Sequence, residues 1–549
     1  KLLNEDYFIL LERFSKTQFV LLKNSILRSF DKAVLLKTMG WQQEGFWAHA
    51  NSIFYNGIIK NVNQYGIVVL EKNEEQLEKE KINNSKYHRT TNNYYSPAFS
   101  EMHKHNRDDD DPYENDRYFV YKKSPVTMDM WMKQMQKVYN EKAIIGISSV
   151  FFSLFRDLFV KTHAVSPLLF LSGEKGSGKS KYAESLASLF TYKQPAFDLN
   201  GSTLVAFSRR IGRTRNAITL LEEFHDNIDL KILQSIKGSY DNRGRELGMA
   251  TGDNRTKVAK VNCFLVMLSQ YLSSWDDNAI TSRSVIQHFI KPQENFTQQE
   301  INEYNLLKSW EEEGLTSLVL DIVAHREEVE KSYIKTYADI INRFKKDLKT
   351  HDYQERMLQN YVVIMTPITI LWQHFNFPFE YEELYQLCKN AIIDSSDLII
   401  ESEGLAEFWK TLEYLLDRQP YPLLVKDTHF IIDTPIGLKL QGRKGEKEIE
   451  WTNDQRKRVL FLRLNAVHQL YHKEVSTREG VDVIGENTLR NYFKSKKYYI
   501  GAVRSKNFSD TSTSAYIFDY DMMEASGILN LIRSKDIDVD DKKKKDLPF

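Results

Sequence analysis

Residues 168–180 read LLFLSGEKGSGKS. An apolar run, Leu168–Leu171, enters a glycine-rich turn, and KYAESLASLF (181–190) leaves it with the spacing of an amphipathic helix. Gly173, Gly178, Lys179 and Ser180 fill the pattern G-x-x-x-x-G-K-[ST], with Gly176 inside the turn. Glycines let successive backbone N–H groups curl around phosphate, and the helix that follows points its positive end at the anion. Lys179 is placed to reach the terminal phosphate oxygens, and the Ser180 hydroxyl to ligate Mg²⁺. The expected ligands are therefore ATP and Mg²⁺, held by Gly173, Gly176, Gly178, Lys179 and Ser180.

Further along, AITLLEEF (217–224) is an apolar strand that ends in two carboxylates, Glu222 and Glu223. One such carboxylate can hold the Mg²⁺ shell while its neighbour orients or deprotonates an attacking water. A third strand, within NCFLVMLSQ (262–270), ends in Ser269 and Gln270, and an amide there can touch the γ-phosphate or the water. DDNAITSR (276–283) then places Arg283 just before another apolar strand. A forked, permanently charged guanidinium suits the charge on a transferring phosphate. An ion pair of Arg283 with Asp276 or Asp277 is the structural alternative.

Composition removes other classes. The chain has 549 residues, with 42% hydrophobic and 12% aromatic, enough for several packed cores and too much for wholesale disorder. Lys+Arg and Asp+Glu both total 75, so a nucleic-acid surface must come from local clustering. Only two cysteines, Cys263 and Cys388, are present, which excludes a disulfide framework and Cys-rich zinc sites. His468 and His472 share a helical face, but Gln469 stands where a zincin needs Glu, so they read as ordinary helix histidines. The run Asp108–Asp111 reads as solvated, because consecutive carboxylates repel. No uninterrupted apolar run approaches the ~20 residues of a membrane span and no signal peptide is legible, so a cytoplasmic protein without a membrane partner is expected.

Pattern shifts divide the chain. Residues 1–72 mix a helix with short alternating strands, and 73–117 are charged and Asn-rich, the composition of a flexible linker. Residues 118–163 form a helical collar, and 164–295 alternate strands with helices, the signature of a parallel, doubly covered α/β sheet. Residues 296–420 look helical, and 421–530 turn β-rich. In that last part a helix over Asn453–His472, a second over Glu486–Ser495 and a ribbon (Tyr498–Arg504 with Ser514–Phe518) make a winged-helix-like domain. Residues 531–549 read as a disordered tail.

The glycine loop, the acidic strand end, the basic segment IKGSYDNRGREL (236–247), the polar strand end and the Asp-rich stretch before Arg283 resemble, in this order, superfamily 3 helicases and related primase-helicases of phages, plasmids and mobile elements. The resemblance runs over about residues 140–290. It implies a P-loop ATPase core of AAA+ type in a multidomain chain working as a ring, with a hexamer expected. Carried onto these positions, Lys179 and Ser180 bind phosphate and Mg²⁺, Glu222 supports the metal, and Glu223 is the base. Arg283 becomes a finger reaching into a neighbour's site. The family usually has Asn as its sensor where this chain has Ser269–Gln270, with Gln270 the residue assigned. No primase constellation is legible.

The resemblance also implies that the loops around Lys237, Arg243, Arg245 and Lys257 line a channel for single-stranded or forked DNA. Cations on glycine-rich loops suit a phosphate backbone that is gripped and released. Arg490 and Lys494, on the second helix of the winged-helix-like part, are further expected DNA contacts. The terminal Asp546–Phe549 (DLPF) resembles the acidic Pro-Phe tip of bacterial single-stranded-DNA-binding proteins and would recruit a replication partner. The expected function is an ATP-dependent DNA helicase or translocase in the replication of a mobile element. Two rivals remain: a P-loop ATPase switch or loader that binds nucleic acid without unwinding it, and a non-enzymatic scaffold.

Overall fold

A computed structural model describes residues 15–29, 33–71, 91–104, 111–224, 228–241, 245–248, 256–259, 261–270, 280–292, 295–349, 351, 353–441, 449–478, 483–494, 496, 498–509, 511–525 and 527–532. The chain folds as two compact units. One comprises 1–271, 283–347 and 358–388, the other 272–282, 348–357 and 389–549.

The first unit is built on five parallel strands: β1 (Leu168–Gly173), β2 (Phe197–Asp198), β3 (Ile218–Phe224), β4 (Phe264–Ser269) and β5 (Ser284–Phe289). Their order in the sheet is β5-β1-β4-β3-β2, and every pairing is parallel. β1 and β4 are buried along their whole length, as the unbroken apolar runs of a covered parallel sheet require. Sequence and structure agree on β1, β3 and β4 to within a few residues. Because all strands run the same way, β1, β3 and β4 deliver their C-terminal ends to one edge.

Helices α1 (Met128–Tyr139) and α2 (Lys142–His163) precede β1, α3 (Lys179–Ala187) follows the glycine loop, and α4 (Leu230–Tyr240) follows β3. With a mean hydropathy of 1.8, α2 is long and apolar enough to cross a membrane, yet 83% of that stretch is buried inside the protein, where it serves as a core helix. Gly146 is required here. A Cβ at that position would lie 2.2 Å from the Tyr182 hydroxyl, which instead donates to the Lys142 carbonyl at 2.7 Å. Through this close approach α2 fixes α3, and so fixes the loop in front of it.

The N-terminal strands belong to the same unit. Thr214–Arg215 pairs in parallel with Met39–Gly40, the first strand of a short antiparallel meander. Thr91–Tyr95 is a strand paired with Ile67–Glu71 and Ala33–Leu35, although the sequence places it in a charged linker. Polar side chains on a strand held from both sides explain the misreading. Pro97–Phe99, Glu101–Lys104 and Glu114–Tyr118 in the same stretch are short helical turns, and 73–90 and 105–110 lie outside the described residues.

Arg326, in α5 (Arg326–Asp347), ties these parts together. Its guanidinium reaches the Asp157 carboxylate at 2.9 and 2.7 Å and Glu330 at 2.8 Å, and it lies 4.4 Å from the centre of the Trp41 ring. Asn216 completes the knot by donating to Asp157 at 2.6 Å.

In the second unit, β6 (Phe430–Asp433), β7 (Val459–Leu462), β8 (Tyr499–Asn507) and β9 (Ser512–Asp519) form an antiparallel sheet in the order β6-β7-β9-β8. Helices Leu464–Val475 and Glu486–Lys494 pack on it through Tyr471, Leu489 and Phe493. The helix expected over Asn453–His472 is thus a strand followed by a shorter helix. VLFL at 459–462 is buried throughout in a central strand, and Asn453 closes the turn before it by accepting from Lys457 N at 2.9 Å. A four-residue apolar run carries no periodicity that separates strand from buried helix. Pro422–Val425, an apolar run at the start of the β-rich part, stays outside the sheets.

Arg326→Leu should destabilise the protein by about 3 kcal/mol, because it leaves Asp157 without its bidentate partner at a site only partly open to water. Arg326→Lys should recover less than half of that loss. Denaturant midpoints of the three proteins check both expectations.

Candidate nucleotide site

The loop 173–178 is shaped by positive backbone torsions at Gly173 (φ 151°), Gly176 (φ 85°) and Gly178 (φ 90°), a region that side chains avoid. At Gly173 a Cβ would also meet the Phe289 carbonyl at 2.2 Å, so β5 packs against the loop where β1 ends. Gly178 is the N-cap of α3, which aims the helix amides into the loop. Ser177 Oγ is buried inside the loop without a hydrogen-bond partner. Lys179 is also buried, with Nζ 3.1 Å from the Glu174 carbonyl. Burial pushes its ammonium down from the ordinary lysine range, and Glu222 opposes that shift. A buried cation, an unpartnered buried hydroxyl and a cradle of left-handed glycines form a donor set that fits a phosphate chain.

Across β4 from this loop, β3 carries the two carboxylates. Its ladder with β4 shifts register between Leu221 and Phe224, and Glu223 takes a left-handed conformation (φ 57°). A glutamate in that region stores on the order of 1–3 kcal/mol of strain. Three neighbours hold the bulge. Ser269 Oγ donates to the Phe224 carbonyl at 2.9 Å, Asn200 Nδ2 donates to the Glu223 carbonyl at 2.7 Å, and Leu199 N donates to the Glu222 carbonyl at 3.2 Å. Asp198 shapes the loop behind them, accepting from the amides of Asn200 and Gly201 at 2.8 and 3.0 Å.

Glu223 is exposed, whereas Glu222 is half-buried. Burial raises the Glu222 carboxyl above its ordinary value, Glu184 and Glu223 add to the rise, and Lys181 opposes it. Glu222 also lines a cavity of about 620 Å³ with Lys181, Glu184, Lys308 and Glu311. An acid held above its usual range by burial and by like charges gains from a bound divalent cation.

The strand end at Ser269–Gln270 divides its labour. Ser269 is buried against the bulge, while Gln270 is exposed one residue beyond the Ser269–Ser172 register pair, level with Gly173. Arg283 lies at the other edge of the sheet. Ser284 pairs with Leu168, and the ladder runs on to Phe289 beside Gly173. Five steps along a strand span roughly 17 Å, so Arg283 cannot touch the loop of its own chain. Its guanidinium lies 5.9 Å from the Tyr240 ring.

Between β3 and β4, helix α4 carries Lys237, half-buried. A two-stranded hairpin follows, with Arg245 opposite Ala259 and Leu247 opposite Lys257. Arg243 lies outside the described residues. In the second unit Arg490 is paired with Glu486 and sits 5.8 Å from the Tyr516 ring, while Lys494 is exposed, 3.4 Å from Asn491. Asp546–Phe549 also lie outside the described residues. The sequence reading missed Ser177, Asp198 and Asn200. The glycine spacing pointed only to the first, which sits inside the loop motif.

No protein-family model and no curated protein matches this sequence. Among solved structures the chain is similar to the active helicase "SCCmec type IV Cch", with 14% identity, 74% of this chain and 72% of that one covered, and a TM-score of 0.41. It is similar to the C-terminal region of NrS-1 at 13% identity and a TM-score of 0.24, covering 80% and 99% of the two chains. A JCV helicase gives 11% identity and a TM-score of 0.23 over 45% of this chain and 68% of that one. The P-loop nucleotide fold of this chain stands on its own sheet order, glycine loop and acidic strand end.

Glu222→Gln should raise the melting temperature of the metal-free protein at neutral pH. In the wild type the folded-state pKa of this acid is raised, so ionising it costs stability as pH rises through that range, and the glutamine does not titrate. The gap between variant and wild type should therefore widen from pH 5 to pH 8. Thermal unfolding at the two pH values checks the sign.

Proposed function

We propose that the chain is an ATP-hydrolysing motor that acts on DNA as a ring, a helicase or translocase in the replication of a mobile element, working in the cytoplasm. One observation carries the reading: the glycine loop and the carboxylate pair share one edge of the sheet while Arg283 stands at the other. A site assembled that way receives its second cation from a neighbouring copy, and a closed ring of copies satisfies every site at once.

In this reading Gly173, Gly176, Gly178 and Lys179 bind the phosphates. Ser180 and Glu222 hold Mg²⁺, which when bound neutralises charge on the β- and γ-oxygens. Glu223 takes the proton of the attacking water, and the bulge holds its carboxylate out of the strand in solvent. Gln270, level with the loop, contacts the terminal phosphate or the water. The hairpin with Arg245 and Lys257, together with Lys237 and Arg243, grips the DNA backbone. Arg490 and Lys494 are secondary contacts, since Arg490 is already paired. The tail Asp546–Phe549 recruits a replication partner. A strand-displacement assay separates this motor from a switch or loader that binds DNA without unwinding it.

Lys179→Ala should abolish ATP hydrolysis. Arg283→Ala should bind ATP normally yet lose turnover by roughly 10³-fold or more, the scale of arginine fingers elsewhere. Mixing the two variants should partly restore turnover, because some interfaces regain an intact loop beside an intact finger. Verified mixed rings without rescue would return Arg283 to a structural role. Changing Arg243, Arg245 and Lys257 together to Ala should weaken single-strand binding and flatten its dependence on salt, since fewer counterions are released. An unchanged salt slope would make the hairpin a solvated loop.

A further inference from the structure

Away from the nucleotide loop, three side chains with metal-binding chemistry converge within the first unit. His325 follows the short helix Val319–Val323, Glu328 lies in the first turns of α5, and His374 sits in the turn Trp372–His374. Glu328 Oε2 is 2.8 Å from His374 Nε2 and 3.6 Å from His325 Nδ1. The three donor atoms all lie within 4.8 Å of one another. The imidazole rings face each other at 4.1 Å between centres with a 32° tilt. Donors around a tetrahedral Zn²⁺, with bonds of about 2.0–2.1 Å, stand ~3.3 Å apart. Two of the donor pairs stand within about half an ångström of that spacing, and the widest needs to close by at most about 1.5 Å to hold an ion.

A fourth donor is at hand. Gln373 Nε2 is 3.5 Å from both Glu328 Oε1 and His374 Nε2. Rotating that amide by half a turn exchanges its nitrogen for its oxygen at no steric cost. The site is also pre-shaped by its surroundings: Phe375 packs edge-on against Phe151, and Asn376 bonds Asp129 through both its backbone and side-chain nitrogens. Side-chain exposures of 31, 35 and 30% for His325, Glu328 and His374 leave the cluster open to an incoming ion.

We propose that His325, Glu328 and His374 form a binding site for a borderline-soft divalent cation, zinc first among them. Two imidazoles and one carboxylate, with Gln373 or water as the fourth ligand, are donors that favour Zn²⁺ over the hard Mg²⁺ used with nucleotide. The ion joins the start of α5 to the turn that follows α6 (Glu355–Leu371), segments far apart in sequence, so its role is to clip the helical part of the first unit.

The test uses the full chain, free of nucleotide, titrated with Co²⁺ as a spectroscopic stand-in for Zn²⁺. One equivalent should bind with the visible d–d absorption of a tetrahedral centre, and Zn²⁺ should bleach that band while excess Mg²⁺ should not. His374→Ala and Glu328→Gln should each abolish the band, and Zn²⁺ should raise the melting temperature of the wild type but not of these variants. Far-UV circular dichroism and a cooperative thermal transition verify that each variant is folded, and His325→Asn replaces any variant that is not. A double variant, His468→Ala with His472→Ala, should keep the band, since it removes a separate pair of neighbouring histidines. Absence of the band, its survival in His374→Ala, or its loss only in the His468/His472 variant would reduce the triad to an ion-pair cluster.

Discussion

The site depends on one backbone irregularity, the bulge at the end of β3. A regular strand sends consecutive side chains to opposite faces of a sheet. Glu222 and Glu223 would then be divided by the sheet they stand on. The register shift between Leu221 and Phe224 and the left-handed turn at Glu223 break that alternation, so one carboxylate stays half-buried while the other is exposed. The strain is offset locally. Ser269, Asn200 and Leu199 supply hydrogen bonds to the three carbonyls of the distorted segment. Two of those partners come from the neighbourhood of β2 and one from β4, so the bulge forms only when the sheet has closed around it.

The glycine loop is held by a second set of long-range contacts. Its first glycine lies under the Phe289 carbonyl of β5, and its helix is pinned to α2 by Tyr182 on the Gly146 backbone. Behind them, Arg156 is buried within α2 with hydrogen bonds to Ser166 Oγ at 2.6 Å and to the Ser239 carbonyl at 3.1 Å, a link to the end of α4. Burial pushes that guanidinium down to about 10. Loop and carboxylates are thus positioned by one apolar core. A packing defect at Gly146 would be felt in the loop although it touches no phosphate-binding residue.

Strand polarity then sets what a single chain can assemble. Parallel strands gather the loop, the carboxylates and Gln270 at one edge and leave Arg283 at the other, a separation of several residues that no rotamer spans. The same connectivity hangs the hairpin carrying Arg245 and Lys257 between β3 and β4. The hairpin follows α4, which continues from the end of β3 that carries Glu222, and it leads into the opposite, N-terminal end of β4.

Short-range chemistry was readable in the chain alone. The spacing of Gly173, Gly178, Lys179 and Ser180 fixes a loop whatever surrounds it, because glycine torsions and helix-terminal amides are local properties. The strands β1, β3 and β4 and the adjacent Glu222–Glu223 followed from apolar runs that end in polar residues. What needed the tertiary structure was each assignment that depends on a partner distant in sequence. Thr91–Tyr95 is a strand because Ile67–Glu71 and Ala33–Leu35 flank it, against its own polar composition. Val459–Leu462 is a strand because it lies between β6 and β9. Ser269 serves the bulge because the Phe224 carbonyl is turned toward it, and His325 meets His374 because the turn after α6 folds back on α5. Local torsional preference and periodicity are written in consecutive residues. Ladder partners and converging side chains are set by how the elements pack, which no stretch of sequence contains by itself.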